Sequence, residues 1–366
     1  MKFSLQREAL LKPLQQIVGV VERRQTLPVL GNILFQADSG QLTLTATDLE
    51  VELIASLETD IEEKLETTLP ARKLFDICKA LPETATLNFS IEADRATVRS
   101  GRSRFTLATL PGADFPVVEE LTAAQTFSMP QSVLKNLIER THFAMAQQDV
   151  RYYLNGLMIE LQPEQLRAVA TDGHRLALSE TAVETGVNDT QQVIVPRKGI
   201  QELLRLLDSE EHSASIQLGA NHIRISLPDI RFTSKLIDGR FPDYDRVLPK
   251  NADKEIIADC RLLKQALSRT SILSNEKYRG IRLNLENNSL RIQAHNPEQE
   301  EAEEEIEILY DSEPLEIGFN VTYLLDALSA IPGEQVRIHL SDANSSCLIE
   351  DAASSDSRYV VMPMRL

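Results

Sequence analysis

Asp172, His174 and Ser179 are the residue types of a nucleophilic hydrolase, a carboxylate, an imidazole and a hydroxyl crowded into eight positions. Their spacing argues against that chemistry. Asp172 and His174 lie two apart, so on a strand they share a face without a nucleophile placed to use them. The other histidines (His142, His212, His222, His295 and His339) are scattered, and no Cys/His spacing suggests a metal site. No Gly-x-x-x-x-Gly-Lys-Ser/Thr loop is present, so any nucleotide hydrolysis would belong to a separate protein. The expectation is a binding protein with no catalytic residue, no metal and no cofactor.

A second chemistry is more promising. Basic residues recur opposite the apolar stripe of one helix after another: Arg7 and Lys12, then Lys135 and Arg140, then Arg261, Lys264 and Arg269. Two further helices open on basic pairs, Arg72-Lys73 and Arg197-Lys198. Lysines on a helix face usually serve solubility, but acidic residues would do that equally well. Net charge is −17, with 13 basic against 18 acidic residues over 1–121, 13 against 16 over 122–249 and 12 against 21 over 250–366. Phosphate responds to local rather than total charge, so an acidic chain with basic helix faces remains compatible with nucleic acid.

The elements that carry these residues repeat three times. Arg104-Phe105-Thr106-Leu107 returns as Arg231-Phe232-Thr233-Ser234 and as Arg358-Tyr359-Val360-Val361, each time after 127 residues. The helical stripe Leu74, Ile77, Cys78, Leu81 returns at Ile200, Leu203, Leu204, Leu207 and at Leu324, Ala327, Leu328, Ile331. Another stripe runs through Leu10, Leu14 and Ile17, through Leu134, Leu137, Ile138 and Thr141, and through Leu263, Ala266, Leu267 and Thr270. Alternating strands such as Gln41–Thr45 and Ile216–Leu218 complete each unit. The class is α+β: three tandem domains, 1–121, 122–249 and 250–366, each with two helices on antiparallel sheet.

No apolar run is long enough to span a bilayer, and the charged N-terminal residues do not read as a signal peptide. Cys78, Cys260 and Cys347 sit apart inside apolar patterns and read as reduced core residues. A cytoplasmic location without membrane contact is expected. The block Glu298, Glu300, Glu301, Glu303, Glu304, Glu305 and Glu307 contrasts with a basic strand in the first third, Arg95, Arg99, Arg102 and Arg104. Opposite-sign patches at the two ends suit head-to-tail contact between two chains, which gives six domains. A protein scaffold that encloses nothing is the other reading of such a dimer.

Several longer strings then match a known family. They are Leu27-Pro28-Val29-Leu30-Gly31-Asn32, Gln148-Asp149-Val150-Arg151-Tyr152-Tyr153-Leu154-Asn155-Gly156 and Thr171-Asp172-Gly173-His174-Arg175-Leu176. Also matching are Asp238-Gly239-Arg240-Phe241-Pro242-Asp243-Tyr244, Asn296-Pro297-Glu298-Gln299-Glu300 and Tyr359-Val360-Val361-Met362-Pro363-Met364-Arg365-Leu366. Along essentially its whole length the chain resembles the bacterial β sliding clamps, processivity subunits of replicative DNA polymerase III. The resemblance implies a head-to-tail homodimeric ring of six similar domains that holds duplex DNA topologically, with helices lining the hole. Contacts to phosphate alone ignore sequence and weaken with salt.

The resemblance also implies residue roles. DNA contact falls to Arg24, Arg72, Gln148, Tyr152 and Tyr153, with Lys198, Arg246 and Arg279 as additions. In the dimer interface Lys73, Arg95, Arg102, Arg104, Phe105 and Leu107 would meet Ile272, Leu273, Glu298, Glu300, Glu301, Glu303 and Glu304. A peptide pocket has a deep apolar part of Leu154, Thr171, Gly173, His174, Arg175, Leu176, Pro242, Val247, Val360 and Met362. Its adjoining part is Arg151, Tyr152, Tyr153, Asn320, Tyr323, Ser346, Pro363 and Met364, with Asn344 on the rim where an apolar residue is the family's habit. The implied partners are duplex DNA, a second copy of the chain, the clamp loader, the replicative polymerase catalytic subunit, and translesion polymerases and repair proteins carrying short Leu- and Phe-anchored peptides.

Overall fold

Three times over, the chain lays down a strand, a helix, four strands, a helix and three strands. The computed structural model describes residues 2–21, 27–118, 121–208, 212–250 and 252–365. The first repeat comprises β1 (Lys2–Gln6), α1 (Arg7–Ile17), β2 (Asn32–Asp38), β3 (Gln41–Thr47), β4 (Val51–Glu58), β5 (Leu65–Pro70), α2 (Ala71–Ala80), β6 (Thr86–Glu92), β7 (Arg95–Ser100) and β8 (Ser103–Ala108). The second comprises β9 (Gln125–Pro130), α3 (Gln131–Glu139), β10 (Gly156–Gln162), β11 (Gln165–Thr171), β12 (Arg175–Ala182), β13 (Gln191–Pro196), α4 (Arg197–Leu206), β14 (Ser213–Leu218), β15 (His222–Ser226) and β16 (Ile230–Lys235). The third comprises β17 (Lys254–Asp259), α5 (Cys260–Thr270), β18 (Gly280–Glu286), β19 (Ser289–His295), β20 (Glu301–Glu307), β21 (Leu315–Asn320), α6 (Val321–Ala330), β22 (Gln335–Leu340), β23 (Cys347–Asp351) and β24 (Ser354–Val361).

The helices form where apolar residues recur at three and four. Leu10, Leu14 and Ile17 of α1 are buried, as are Leu74 and Cys78 of α2, and each such aliphatic contributes roughly 1.5–3 kcal/mol on burial. Helix starts are set by local chemistry. Asp259 caps α5 by accepting the Leu262 N–H at 2.8 Å, and Asn320 caps α6 by accepting from Thr322 and Tyr323. Pro70 stands before α2 and Pro196 before α4, each at the end of a strand.

The chain divides into two compact units, Met1–Ser132 with Lys198–Leu236, and Val133–Arg197 with Ile237–Leu366. The first unit holds a four-stranded sheet in the order β1-β6-β7-β8 and an eight-stranded sheet, β5-β2-β3-β4-β16-β15-β14-β9. The second holds the matching pair, β13-β10-β11-β12-β24-β23-β22-β17 and β20-β19-β18-β21. Strands of successive repeats are therefore sewn into one sheet, β4 to β16 in one unit and β12 to β24 in the other, all antiparallel.

One expectation changes. Arg95, Arg99, Arg102 and Arg104 do not share a strand: Arg95 and Arg99 are on β7, Arg102 is in the turn and Arg104 is on β8. Gly101, at φ +55°, reverses the chain there, so Arg99 and Arg104 face each other as a cross-strand pair.

Candidate functional site

The segment from Thr171 to Arg175 is a turn locked by its own side chains. Thr171 Oγ1 donates to Arg175 O at 2.6 Å and accepts the Gly173 N–H at 3.1 Å. Asp172 Oδ1 accepts the N–H groups of His174 and Arg175, while its Oδ2 takes Arg175 Nε at 3.1 Å. Ser179 is buried on β12 and shares a 2.9 Å hydrogen bond with Ser357. The Asp172 carboxylate is thus engaged in the turn and the Ser179 hydroxyl in the sheet, while His174 is exposed and joins the turn through its backbone.

Arg175, expected in the deep part of the pocket, is the hub of its surroundings. Its guanidinium pairs with Asp172 and Asp326, donates to Phe143 O at 2.9 Å and lies 4.5 Å over the Tyr323 ring. Burial, then the nearby Asp172 charge, pushes the Tyr323 phenol up from its usual range. Gly173 has φ +88°, and a Cβ there would lie 2.9 Å from two guanidinium nitrogens of Arg151. Arg151 in turn grips Asp149 through Nε at 3.0 Å and Nη2 at 2.8 Å, and reaches Asp172 O at 3.2 Å. These bonds hold the Asp149 carboxyl down at about 2.

Beneath the turn lies an apolar floor. Leu154, Leu176 and Val360 are buried together with Met158, Val169, Leu178, Ile194, Phe241 and Tyr244. They are core residues first, and only the rim is open: Val247 is 44% and Met362 46% exposed, with Pro242 and His174 also exposed. Met362 is held by its N–H to His174 O at 3.0 Å, and Met364 by its N–H to Gly318 O at 2.8 Å. Pro363, Met364 and Ser346 are half-buried, and Asn344 is exposed on a turn where its N–H meets Asp342 Oδ1 at 2.8 Å. Asn320, expected as a pocket residue, is occupied as the cap of α6 and donates to Tyr278 O at 3.3 Å.

Three residues of this region carried no site role in the sequence reading: Leu348, which packs on the floor, and Phe241 and Tyr244, quoted there only as part of a matching string. The Tyr244 hydroxyl donates to Glu160 at 2.9 Å and receives Arg167 at 2.7 Å, and burial pushes it up to about 12. The bond pins the segment after the second repeat. Phe241 matches Phe115, since both stand before a proline after the last strand of a repeat, and that likeness is the signal for its role.

The basic positions divide. Arg24 lies outside the described residues. Gln148 is exposed at φ +54°, and Tyr152 is exposed, with Tyr153 set edge-on to it at 5.8 Å and partly buried on the floor. The tyrosines sit on a short 3-10 turn (Tyr152–Leu154). Arg72 is exposed and donates to Val21 O at 2.7 Å. Arg246 is exposed beside Asp243 at 2.7 Å, and Arg279 donates to Ser271 O at 3.2 Å. Lys198 pairs with the buried carboxylate of Asp48, so its charge is partly answered within the first unit.

Comparison with known proteins settles the family. The model of the DNA polymerase III beta subunit N-terminal domain matches residues 1–119, that of the central domain 128–243 and that of the C-terminal domain 245–365. The beta sliding clamp of Pseudomonas putida is 59% identical over 367 residues, covering 100% of both chains, and that of Escherichia coli K12 is 54% identical over the same span. The chain belongs to the beta sliding clamp family. A crystal structure of the DNA polymerase sliding clamp from Pseudomonas aeruginosa with ligand superposes with a TM-score of 0.97 at 57% identity, covering 100% of each chain. Another from that organism, bound to griselimycin, gives 0.97 at 58% identity with the same coverage.

In this beta-clamp chain β8 is an outer strand of the first unit's four-stranded sheet and β20 an outer strand of the second's. Arg95, Arg99, Arg102 and Arg104 are exposed, and Lys73 is exposed on α2. Phe105 is half-buried, but Leu107, expected at the interface, is only 7% exposed because it points into the core of its own unit. Near β20, Ile272 is 74% exposed and Leu273 half-buried. Glu298, Glu300, Glu301 and Glu303 are exposed, while Glu304 turns back to pair with Arg269 of α5. That contact holds the Glu304 carboxyl below its usual range.

Proposed function

We propose that two copies of this chain join head to tail through β8 and β20 into a ring of six similar domains that encircles duplex DNA and tethers the replicative polymerase. The observation that carries the reading is the repeat itself. β16 and β24 are the second and third copies of β8, and each is already paired, with β4 and β12. β4 and β12 are in turn earlier copies of β20. β8 and β20 thus match the two halves of the same joint, unpaired with each other in this chain, and a second copy can supply each with its partner.

The internal joints predict the register. Arg231 lies opposite Ile54 and Arg358 opposite Leu178, which puts Arg104 opposite Glu303 and Phe105 opposite Ala302. Arg99 and Arg104 are like charges directly across from each other, a destabilising pair until the partner's β20 supplies carboxylates. Phe105 and the partner chain's exposed apolar residues near β20 contribute most of the affinity, because exposed ion pairs are worth only about 0–1 kcal/mol.

The helix-borne arginines and lysines suit phosphate contact without base readout, and weak contact of that kind leaves the ring able to slide. A separate loader with its own nucleotide site opens the ring. The rim of Val247, Met362 and Pro242 over the buried floor takes short peptides of the polymerase, the loader, translesion polymerases and repair proteins. Two apolar anchors supply roughly 3–6 kcal/mol, so exchangeable affinity near −8 kcal/mol, about micromolar, is expected. Sedimentation equilibrium tests the assembly: a two-chain particle is expected, and a monomer at all micromolar concentrations contradicts it.

A further inference from the structure

Two turns of this chain are built alike, one in each unit. Thr47 Oγ1 donates to Val51 O at 2.8 Å, as Thr171 Oγ1 does to Arg175 O at 2.6 Å. Asp48 Oδ1 accepts the N–H groups of Glu50 and Val51, as Asp172 Oδ1 accepts those of His174 and Arg175. The next repeat's last strand then crosses each turn. Lys235 N–H donates to Glu50 O at 2.8 Å and Met362 N–H to His174 O at 3.0 Å. Registers agree, with Thr233 opposite Glu52 and Val360 opposite Leu176. The floor agrees as well: Val29, Leu30, Leu34 and Phe115 cluster in the first unit as Tyr153, Leu154, Met158 and Phe241 do in the second.

The row of side chains across the two joints does not agree. In the second unit Leu348, Val360 and Leu176 run across β23, β24 and β12, apolar throughout. In the first unit the same row across β15, β16 and β4 is Arg224, Thr233 and Glu52. Arg224 Nε donates to Thr233 Oγ1 at 3.2 Å. Glu52 is 2% exposed, and its Oε2 accepts the Val118 N–H at 3.1 Å, fastening the segment that leaves the first repeat. Lys235 stands where the second unit has Met362.

We propose that the row Arg224-Thr233-Glu52 closes a second copy of the peptide groove in the first unit and so confines apolar-anchored partners to one site per chain. The inference rests on the peptide reading of the second unit. A Leu or Phe anchor settling against Glu52 would have to break its bond to Val118 and leave a buried carboxylate without that partner. Over Leu176 and Val360 the same anchor strips nothing polar. Discrimination between two similar grooves then lies in the repulsive one.

Isothermal titration of the full-length protein with a short synthetic peptide ending in Leu and Phe tests this. Wild type is expected to bind one peptide per chain. The variant R224L/E52L/T233V/K235M is expected to bind two, and Met362→Lys, which puts the first unit's side chain on the exposed rim of the second, to lose affinity at least tenfold. A quadruple variant that keeps wild-type circular dichroism and still binds one peptide overturns the proposal, as does Met362→Lys binding like wild type. A photo-crosslinking version of the peptide separates this from failure of the underlying reading. Crosslinks to Val247 or Met362 in wild type support that reading, and crosslinks confined to the first unit overturn it.

Discussion

Leu49 and Gly173 occupy the same point of two copies of one turn, and both have left-handed backbone, φ +79° and +88°. A leucine there stores about 1 kcal/mol or more of strain that glycine avoids. The two positions answer to different neighbours. Gly173 must leave room for the Arg151 guanidinium, whereas Leu49 is exposed.

Gly173→Ala is therefore expected to cost about 1–2 kcal/mol, part of it backbone strain and part the displacement of Arg151 from Asp172 O. Thermal melting gives the stability. The carboxyl-carbon chemical shift of Asp149 gives the second part, because a displaced Arg151 lets that group titrate nearer its ordinary value. An unchanged melt and an unchanged Asp149 titration would remove the argument for glycine at this position.

Asp149 predicts a pH dependence of defined sign. Its folded value of about 2 lies below the ordinary 3.8, chiefly through hydrogen bonds from Arg151. Such a group contributes stability that is present above the unfolded value and lost as pH falls through the folded one. The contribution should thus fade between about pH 4 and pH 2, and Arg151→Ala should abolish it. Melting temperature against pH for the two proteins checks this: the curves should converge toward pH 2.

Glu52 has the opposite sign. Burial raises its carboxyl above 4.5, opposed by the Val118 N–H and the charges of Arg231 and Arg224. A raised acid binds more protons folded than unfolded, so stability declines as pH rises from 4.5 toward the folded value. Glu52→Gln is expected to melt higher than wild type at pH 7 and to flatten that decline. A lower melting point at pH 7 would contradict the assignment.

Met362→Ala and Leu176→Ala separate binding from folding. Met362 is half-exposed, so its truncation should weaken a Leu- and Phe-anchored peptide tenfold or so with little loss of stability. Leu176 is 3% exposed in the core, and its truncation should cost about 2–5 kcal/mol of stability before affinity can be read. Calorimetric binding beside thermal melts distinguishes the two.

At the edges, Arg104→Glu and Glu303→Arg should each loosen the dimer by no more than several-fold, and the two together should recover part of the loss. Ile272→Asp should loosen it ten- to a hundredfold by removing roughly 1.5–3 kcal/mol of apolar burial. Sedimentation at graded concentrations measures all four. A charge reversal more costly than Ile272→Asp would invert the energetic picture.

Much of this architecture is legible in the amino-acid sequence. The 127-residue recurrence of Arg104, Arg231 and Arg358 marks β8, β16 and β24, because strand position in a repeat is encoded by local alternation. Apolar spacing likewise locates the helices from Leu10 and Leu74 onward. What local pattern does not encode is which side chain answers which across the fold. Lys198 reads as a basic helix opening, yet Asp48, 150 positions earlier, lies against it. Nor does it encode that the Arg175 guanidinium meets Asp326 of α6, or that the Asn320 side chain caps that helix. Leu107 shares a strand with exposed Arg104, and the core of its unit claims it.

The ring is tested most directly by retention on DNA as a function of topology. The protein would be loaded onto a nicked circular plasmid by a bacterial clamp loader with ATP, isolated by gel filtration, and half the complexes linearised. Retention on the circle with loss from the linear DNA is the predicted result. Equal retention on both forms would contradict a sliding ring.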